Sequence, residues 1–237
     1  MENSTANSNN LSIRIDSDGF SLSVFDQSDS LLTTKRINAT LSTLTLPELL
    51  KLIDTETQIN FKTVRIITES ELYVIIPGDL FKVEEAADFL FLEHKPDQTD
   101  SILFNKHPES GIVNVFAIPG LIHEALNQLF PNAAIEHHIS HLIAENIKSN
   151  TGSCVYCLAR NKRLDMVVVK ESKLQLINSF TYQTPEDFAY FVLNVYEKLT
   201  LDMHKCPISI LNAAEKPELG KILEKYLTVN VAPKITN

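Results

Sequence analysis

Glycine is scarce in this sequence, and its scarcity excludes the commonest phosphate-binding loops. Only six glycines occur among 237 residues, less than half of the usual share of about 7%. Loops that wrap phosphates need glycine because their backbone approaches the ligand closely and often adopts positive φ. No two glycines are adjacent or spaced as Gly-x-Gly, so Walker A and Gly-x-Gly-x-x-Gly motifs are absent.

Basic charge, cysteine and long apolar runs are also in short supply. The chain has 21 Lys and Arg against 30 Asp and Glu, a net charge of −9, which argues against nucleic-acid binding because phosphate contacts need clustered cations. Three cysteines cannot all pair within the chain. No apolar run approaches the roughly 20 residues that span a bilayer, and the first ten residues lack the apolar core of a signal peptide. We therefore expect a cytoplasmic protein without direct membrane insertion.

What the sequence does contain is a readable order of strands and helices. Residues 1–10 are polar and are predicted to form a disordered tail. Alternating apolar and polar residues over 11–26 predict a hairpin, and 30–41 predicts a third strand. A helix follows from Thr45, which begins a Thr-x-x-Glu capping box.

The second half of the chain repeats this order. Three strands and a capped helix are predicted again, over residues 154–159, 164–170, 174–180 and from Thr184. Ser140 is the predicted N-cap of the preceding helix, and residues 149–153 are the predicted boundary between the halves. We therefore predict an α/β protein with a first half over 11–150, which includes inserted strands, and a second half over 151–237.

This order of elements resembles the actin-like ATPase superfamily, in which each of two halves has a core of ribonuclease H type. The matching stretches are the hairpin from Leu11 to Phe25, the strands at 72–78 and 113–119, and the second hairpin from Cys154. The chain is similar to a bacterial domain-of-unknown-function family in that superfamily. It also resembles pilus-assembly proteins and the cytoplasmic actin-like proteins of type II secretion. The implied fold is a duplicated ribonuclease H-like fold, with two mixed-sheet halves and crossover helices.

The resemblance implies a nucleotide site that this chain does not reproduce. Active members carry Asp-x-Gly in the first hairpin turn of each half, where amides and hydroxyls hold phosphates and the Asp organises Mg²⁺. Here the first turn offers Asp16, Asp18 and Gly19, and Asp16 stands one residue too far from Gly19. The second turn, Arg160–Arg163, has neither Asp nor Gly, and the late Gly-Gly that admits adenosine corresponds to Asn-Ala-Ala at 212–214. These departures argue against ATP hydrolysis.

Two functions stay open on this evidence. The first is a non-catalytic actin-like scaffold or protein-interaction module with a degenerate nucleotide site, which binds a protein partner or itself and needs no cofactor. The second is a divergent nucleotide-binding protein or weak ATPase that uses the cleft between the halves, with ATP and Mg²⁺ as cofactors. Asp16, Asp18 and Gly19 would then lie at the phosphates, although Asp and Gly also favour hairpin turns for backbone reasons alone.

Two clusters of histidine and cysteine offer further chemistry. His137, His138 and His141 form His-His-x-x-His, which on one helix would give zinc-ligand spacing. The apolar residues just before them indicate that a strand ends near His137, so we expect surface or capping histidines and no metal site. Cys154 and Cys157 form Cys-x-x-Cys within a predicted strand, where positions i and i+3 face opposite sides. We therefore expect two buried structural cysteines.

Overall fold

The structure, a computed structural model, shows a chain divided into two compact units, residues 1–141 and 142–236. It describes residues 9–57, 61–148, 152–160, 162–211 and 216–231. Most of the predicted tail, residues 1–8, lies outside the described residues. The same is true of 149–151 in the predicted boundary and of the Asn-Ala-Ala at 212–214.

The first unit contains two β-sheets. Its elements in chain order are β1 (Asn10–Asp16), β2 (Gly19–Phe25), β3 (Leu31–Asn38), α1 (Leu46–Glu56), β4 (Thr63–Thr68), β5 (Tyr73–Pro77), α2 (Ala86–Glu93), β6 (Asp100–His107), β7 (Ile112–Pro119), α3 (Gly120–Leu129), β8 (Ile135–His137) and the beginning of α4 (His138–Lys148). The larger sheet has the order β3-β2-β1-β4-β8, in which β1 runs antiparallel to β2 and parallel to β4. The smaller sheet, β5-β7-β6, is antiparallel.

Apolar alternation along β1 builds the core of the larger sheet. Leu11, Ile13 and Ile15 are buried, and they share a cluster with Leu49 and Ile53 of α1. The predicted capping box at the start of α1 is present. The Thr45 backbone N–H donates to Glu48 Oε2 at 2.8 Å, and the hydrogen bonds from Thr45 lower the pKa of Glu48. The hairpin, third strand and capped helix predicted for the first half are therefore confirmed.

The smaller sheet is an insertion between β4 and α3. The helix α2 covers it, burying Leu90 against Val113 and Val115 of β7. A 3-10 turn at Val83–Glu85 precedes the helix, and Lys82 before that turn is extended. The inserted strands predicted in the first half thus form a sheet of their own.

The second unit repeats the topology of the larger sheet. Its elements after α4 are β9 (Cys154–Arg160), β10 (Arg163–Lys170), β11 (Lys173–Thr181), α5 (Pro185–Lys198), β12 (Ile208–Leu211), α6 (Pro217–Leu223) and β13 (Val229–Val231). The sheet order is β11-β10-β9-β12-β13, with β9 antiparallel to β10 and parallel to β12. Third, second, first, fourth and last strands follow one another in both units, which confirms the predicted duplicated α/β fold.

One helix begins earlier than predicted. The structure begins α4 at His138, directly after β8, and so places Ser140 inside the helix rather than at its N-cap. The Ser140 hydroxyl is used differently, since its Oγ accepts a hydrogen bond from Asn114 of β7 at 2.9 Å. Within the described part of the chain, no helix is both long and apolar enough to cross a membrane.

Candidate functional site

The first hairpin turn brings Asp16, Asp18 and Gly19 together, and Asp16 is engaged by an arginine. The Asp16 carboxylate accepts from Arg36 Nη1 at 2.5 Å and from Arg36 Nη2 at 2.7 Å, a two-pronged pair from β3. It also accepts the Asp18 backbone N–H at 2.9 Å. The hydrogen bond to Asp16 raises the pKa of Arg36. A metal ion at Asp16 would have to displace this guanidinium.

Gly19 has a structural reason for its identity. Its φ is +137°, and a Cβ built there would lie 2.0 Å from the carbonyl oxygen of Ile37. The close approach arises because Gly19 pairs with Asn38 where β2 meets β3. The carbonyl of Asp18 accepts the Ala39 backbone N–H at 3.0 Å, which fastens the same corner. The hairpin alone therefore accounts for a glycine at this position.

The second hairpin turn also holds an ion pair, but here the arginine ends the first strand and the aspartate lies on the next strand. Arg160 ends β9 and donates through Nε at 2.8 Å and Nη2 at 2.5 Å to Asp165 of β10. The Asp165 carboxylate is fully buried, and it also accepts the Ser179 hydroxyl of β11 at 2.6 Å. Lys162, in the turn itself, is exposed and has φ +65°. Lys162 is thus solvated, whereas Arg160 belongs to a largely buried network.

The first three strands of each unit carry an aspartate, a serine and an arginine, but the aspartate and the serine stand one strand later in the second unit, and the arginine stands on the first strand instead of the third. In the first unit, the first, second and third strands supply Asp16, Ser21 and Arg36, and Arg36 Nη1 lies 3.4 Å from Ser21 Oγ. In the second unit, the corresponding strands supply an arginine, an aspartate and a serine, the network just described. Each group of three is called a hairpin triad below. In each triad, an arginine from the first three strands of the same unit neutralises the carboxylate.

Surface or capping histidines are expected from the sequence, and the surface alternative is wrong because all three are buried. His137 does stand directly before α4, where its Nδ1 lies 3.4 Å from the Ile139 backbone nitrogen, as in a helix cap. His137, His138 and His141 are 0%, 2% and 3% exposed. The cause is long-range packing, since β8 pairs with β4 and ends at His137. The His137 ring then lies against Tyr73 and Phe116, with centroid distances of 5.0 and 4.9 Å. A strand followed at once by a helix leaves no exposed turn for these side chains.

Hydrogen bonds use both ring nitrogens of His137. Nε2 lies 3.0 Å from the carbonyl oxygen of Ser70, which only accepts, so Nε2 carries the proton. Nδ1 therefore accepts from the Asn114 amide at 3.0 Å. The backbone N–H of His137 donates to Asn105 Oδ1 at 2.8 Å. These bonds tie β8 to the inserted sheet and leave His137 no lone pair for a metal ion.

The neighbouring charged groups form a partly buried cluster without metal-site geometry. His141 Nδ1 lies 3.6 Å from Glu136 Oε2, and this contact lowers the pKa of Glu136. Burial lowers the pKa of His107 on β6, and Glu136 opposes that shift. Across the described ranges, no three His, Cys, Asp or Glu side chains are placed to hold a metal ion. These side chains lie where β6, β8 and the first turn of α4 meet.

The cysteines are buried and free of disulfides, as predicted for Cys154 and Cys157. Burial raises the pKa of Cys157 well above its usual range, and it raises that of Cys206 to about 11. A thiol with a raised pKa is a poor nucleophile at neutral pH because little thiolate is present. These cysteines therefore serve as core residues.

The first unit also has a cavity, which lies away from the hairpin turn. Its volume is about 760 Å³, and its walls include Asp54, Phe61, Thr63 and Phe130. Thr63 begins β4, whereas Asp16 ends β1, and these two strands are parallel with Asn10 opposite Thr63. The cavity and the predicted phosphate turn are thus at opposite ends of the sheet.

Comparison with known proteins assigns the chain to a family. The model of the family "Protein of unknown function (DUF3822)" matches residues 1–229. The chain belongs to the DUF3822 family. This confirms the predicted membership of a domain-of-unknown-function family. No curated protein matches the chain in sequence.

Solved structures similar to this DUF3822 protein show its fold. One is a protein from Bacteroides thetaiotaomicron with an actin-like ATPase fold and unknown function. It has 24% sequence identity and a TM-score of 0.79, over 97% of this chain and 93% of that one. The PilM-PilN type IV pilus biogenesis complex has 13% identity and a TM-score of 0.51, over 94% of this chain and 87% of that one. The predicted actin-like fold and the resemblance to pilus-assembly proteins are confirmed.

Sequence reasoning missed the partners that decide the chemistry of both hairpins in the DUF3822 protein. Arg36 and Ser179 lie on third strands, and only the strand register brings them to the turn. Two residues in the sequence do indicate buried polar partners. Asp165 and Asn114 are polar residues inside otherwise apolar strand segments, and such residues need a buried partner.

Proposed function

We propose that this protein is a non-catalytic actin-like scaffold or protein-interaction module. The observation that carries the proposal is the two-pronged bond between Arg36 and the Asp16 carboxylate. In the actin-like pattern this aspartate organises Mg²⁺, and a carboxylate already neutralised by a guanidinium is a poor ligand for that ion. The second hairpin places Arg160 at the corresponding strand end, where the pattern has an aspartate.

The fold supports a role in binding proteins. The similar PilM-PilN structure is a complex of two proteins, so an actin-like fold is compatible with a partner chain. The net charge of −9 favours a partner of opposite charge over nucleic acid. A protein partner or self-association is therefore part of the proposal, and no cofactor is needed for it.

The competing proposal is a divergent nucleotide-binding protein or weak ATPase. It has support from the acidic surroundings of Arg36, because the charges of Asp16, Asp18 and Glu69 all raise its pKa. If Mg²⁺ displaced Arg36, the Asp16 carboxylate would face the ion, whereas Glu69 accepts a hydrogen bond from Arg14 at 2.7 Å. Asp16, Asp18 and Gly19 would then lie at the phosphates.

Isothermal titration calorimetry with ATP and Mg²⁺ separates the two proposals. The scaffold predicts no binding heat and no phosphate release above that of an Asp16→Ala variant. Micromolar binding that Asp16→Ala abolishes would reject the scaffold and establish the nucleotide site. Arg36→Ala serves as the matched control, since it removes the competing guanidinium and would strengthen any true Mg²⁺ binding at Asp16.

A further inference from the structure

The helix of the inserted sheet carries large apolar side chains on its outer side as well as on its inner side. Ala86 and Leu90 of α2 are buried against the small sheet, whereas Val83, Phe91 and Leu92 are 56%, 55% and 80% exposed. A surface helix ordinarily carries charged and polar residues on the face opposite the core, so the exposed Phe91 and Leu92 are unusual. Clustered exposed apolar groups of this kind mark interaction sites.

The exposed residues form a stripe along the helix. Val83, Ala87 and Phe91 follow one another at intervals of four residues, about one turn each, through the 3-10 turn and α2. Leu92 lies beside Phe91. These four residues are called the α2 face below.

Negative charge accompanies the α2 face. Residues 79–93 contain five acidic residues and one lysine, a net charge of −4. Lys82 is paired with Glu85 at 2.6 Å. Glu84 and Asp88 are exposed, stand one turn apart beside the stripe, and form no ion pair within the part of the chain that the structure describes. Their charge is therefore available to an incoming partner.

We propose that the α2 face binds a basic amphipathic helix of a partner protein. Apolar side chains of that helix pack on Val83, Phe91 and Leu92, and its Lys or Arg side chains meet Glu84 and Asp88. A second copy of this chain fits less well, because at a net charge of −9 it brings like charge to an acidic face. The inference rests on the proposed interaction role and names the chemical class of the partner.

The test uses the full chain and a designed peptide. The probe is a fluorescently labelled helix of about 18 residues, with Leu at positions i, i+3, i+4 and i+7 and Lys elsewhere. Fluorescence anisotropy should show saturable binding that weakens as salt shortens the Debye length from about 10 Å to about 3 Å. A peptide of the same composition in scrambled order, and a version with Glu in place of Lys, should bind far more weakly.

Variants of the chain locate the binding surface. Phe91→Ala with Leu92→Ala should weaken binding about 30-fold, the size of a hot-spot loss. Tyr190→Ala is the matched apolar control, because Tyr190 is 64% exposed in the second unit, and it should leave affinity unchanged. The stripe residues are exposed, so circular dichroism should show unchanged folding in these variants.

A second pair of variants tests the charges. Glu84→Lys with Asp88→Lys should abolish most of the salt dependence. Glu197→Lys with Glu224→Lys makes the same charge change at exposed positions of the second unit, and it should preserve most of the affinity. Equal losses in both pairs would mean general charge attraction and would overturn the proposal.

The remaining outcomes also decide the matter. Equal binding of the scrambled peptide, or no saturable binding, rejects the α2 face as a site for a basic helix. A dimer in sedimentation that Phe91→Ala with Leu92→Ala disrupts would assign the face to a second copy and reject the partner helix. These results are independent of the calorimetry with ATP. No binding of either ATP or peptide rejects only the α2 face, and binding of ATP rejects the scaffold whatever the peptide does.

Discussion

The stability of the second unit should depend strongly on the second hairpin triad, because the Asp165 carboxylate in that triad is buried. Replacing Arg160 by Met removes the guanidinium that pairs with a carboxylate whose side chain is only 1% exposed. Removing one partner of a buried ion pair costs about 3–5 kcal/mol, because the other charge stays buried. The Ser179 hydroxyl still donates at 2.6 Å, so we expect the lower end, about 3 kcal/mol.

The double variant separates the cost of an orphaned charge from the value of the pair. Arg160→Met combined with Asp165→Leu leaves no buried charge, and such replacements are often neutral or stabilising. We expect its unfolding free energy to lie within about 1 kcal/mol of the parent, which makes it about 2 kcal/mol more stable than Arg160→Met alone.

Urea unfolding followed by circular dichroism measures these differences, since the chain has no tryptophan to report by fluorescence. Hydrogen exchange of the β10 amides assigns the transition to the second unit. A loss below about 1 kcal/mol for Arg160→Met, or a double variant no more stable than that single variant, would refute the reasoning.

Three further predictions concern the first unit. Gly19→Ala should destabilise the first unit by at least about 2 kcal/mol in urea unfolding, because the new Cβ would lie 2.0 Å from the Ile37 carbonyl oxygen. An unchanged unfolding free energy would mean that the β2–β3 corner adjusts freely. Asn114→Leu should cost about 2–4 kcal/mol by the same assay, since it removes the buried amide that donates to Ser140 and to the His137 ring. An unchanged midpoint would contradict that bonding pattern. Burial lowers the pKa of His107 from its usual 6.5, so the unfolded chain binds a proton more readily than the folded one. The contribution of His107 to stability is therefore complete above pH 6.5 and declines as the pH falls through that value toward the lowered pKa. His107→Gln should reduce this loss of stability in urea midpoints measured across the pH range. An identical pH profile would assign the loss to other groups.

Local patterns predicted most of the elements, because local interactions form them. The alternation along β1 and the Thr45–Glu48 capping box involve residues close in the chain, and both are present as predicted. The order of strands around the sheets follows from the same patterns, since a hairpin followed by a crossover helix has few ways to close.

The candidate site was less predictable because distant residues complete it. Asp16 could be named from the turn, but its bond to Arg36 depends on the register of β2 and β3. The burial of His137 depends on pairing with β4 and on packing against the inserted sheet. The short segment around His137 carries no local signal for its pairing with β4 or for its packing against the inserted sheet.

The two hairpin triads also bear on the order of folding. Asp16 and Arg36 are 20 residues apart, and Arg160 and Asp165 are 5 apart. In contrast, the hydrogen bond between Asn10 and Thr63 spans 53 residues. Contacts between nearby residues close small loops and form early, and long-range strand pairing follows. As the chain leaves the ribosome, each hairpin can therefore emerge with its carboxylate already neutralised, before the parallel strand that completes its sheet has been synthesised.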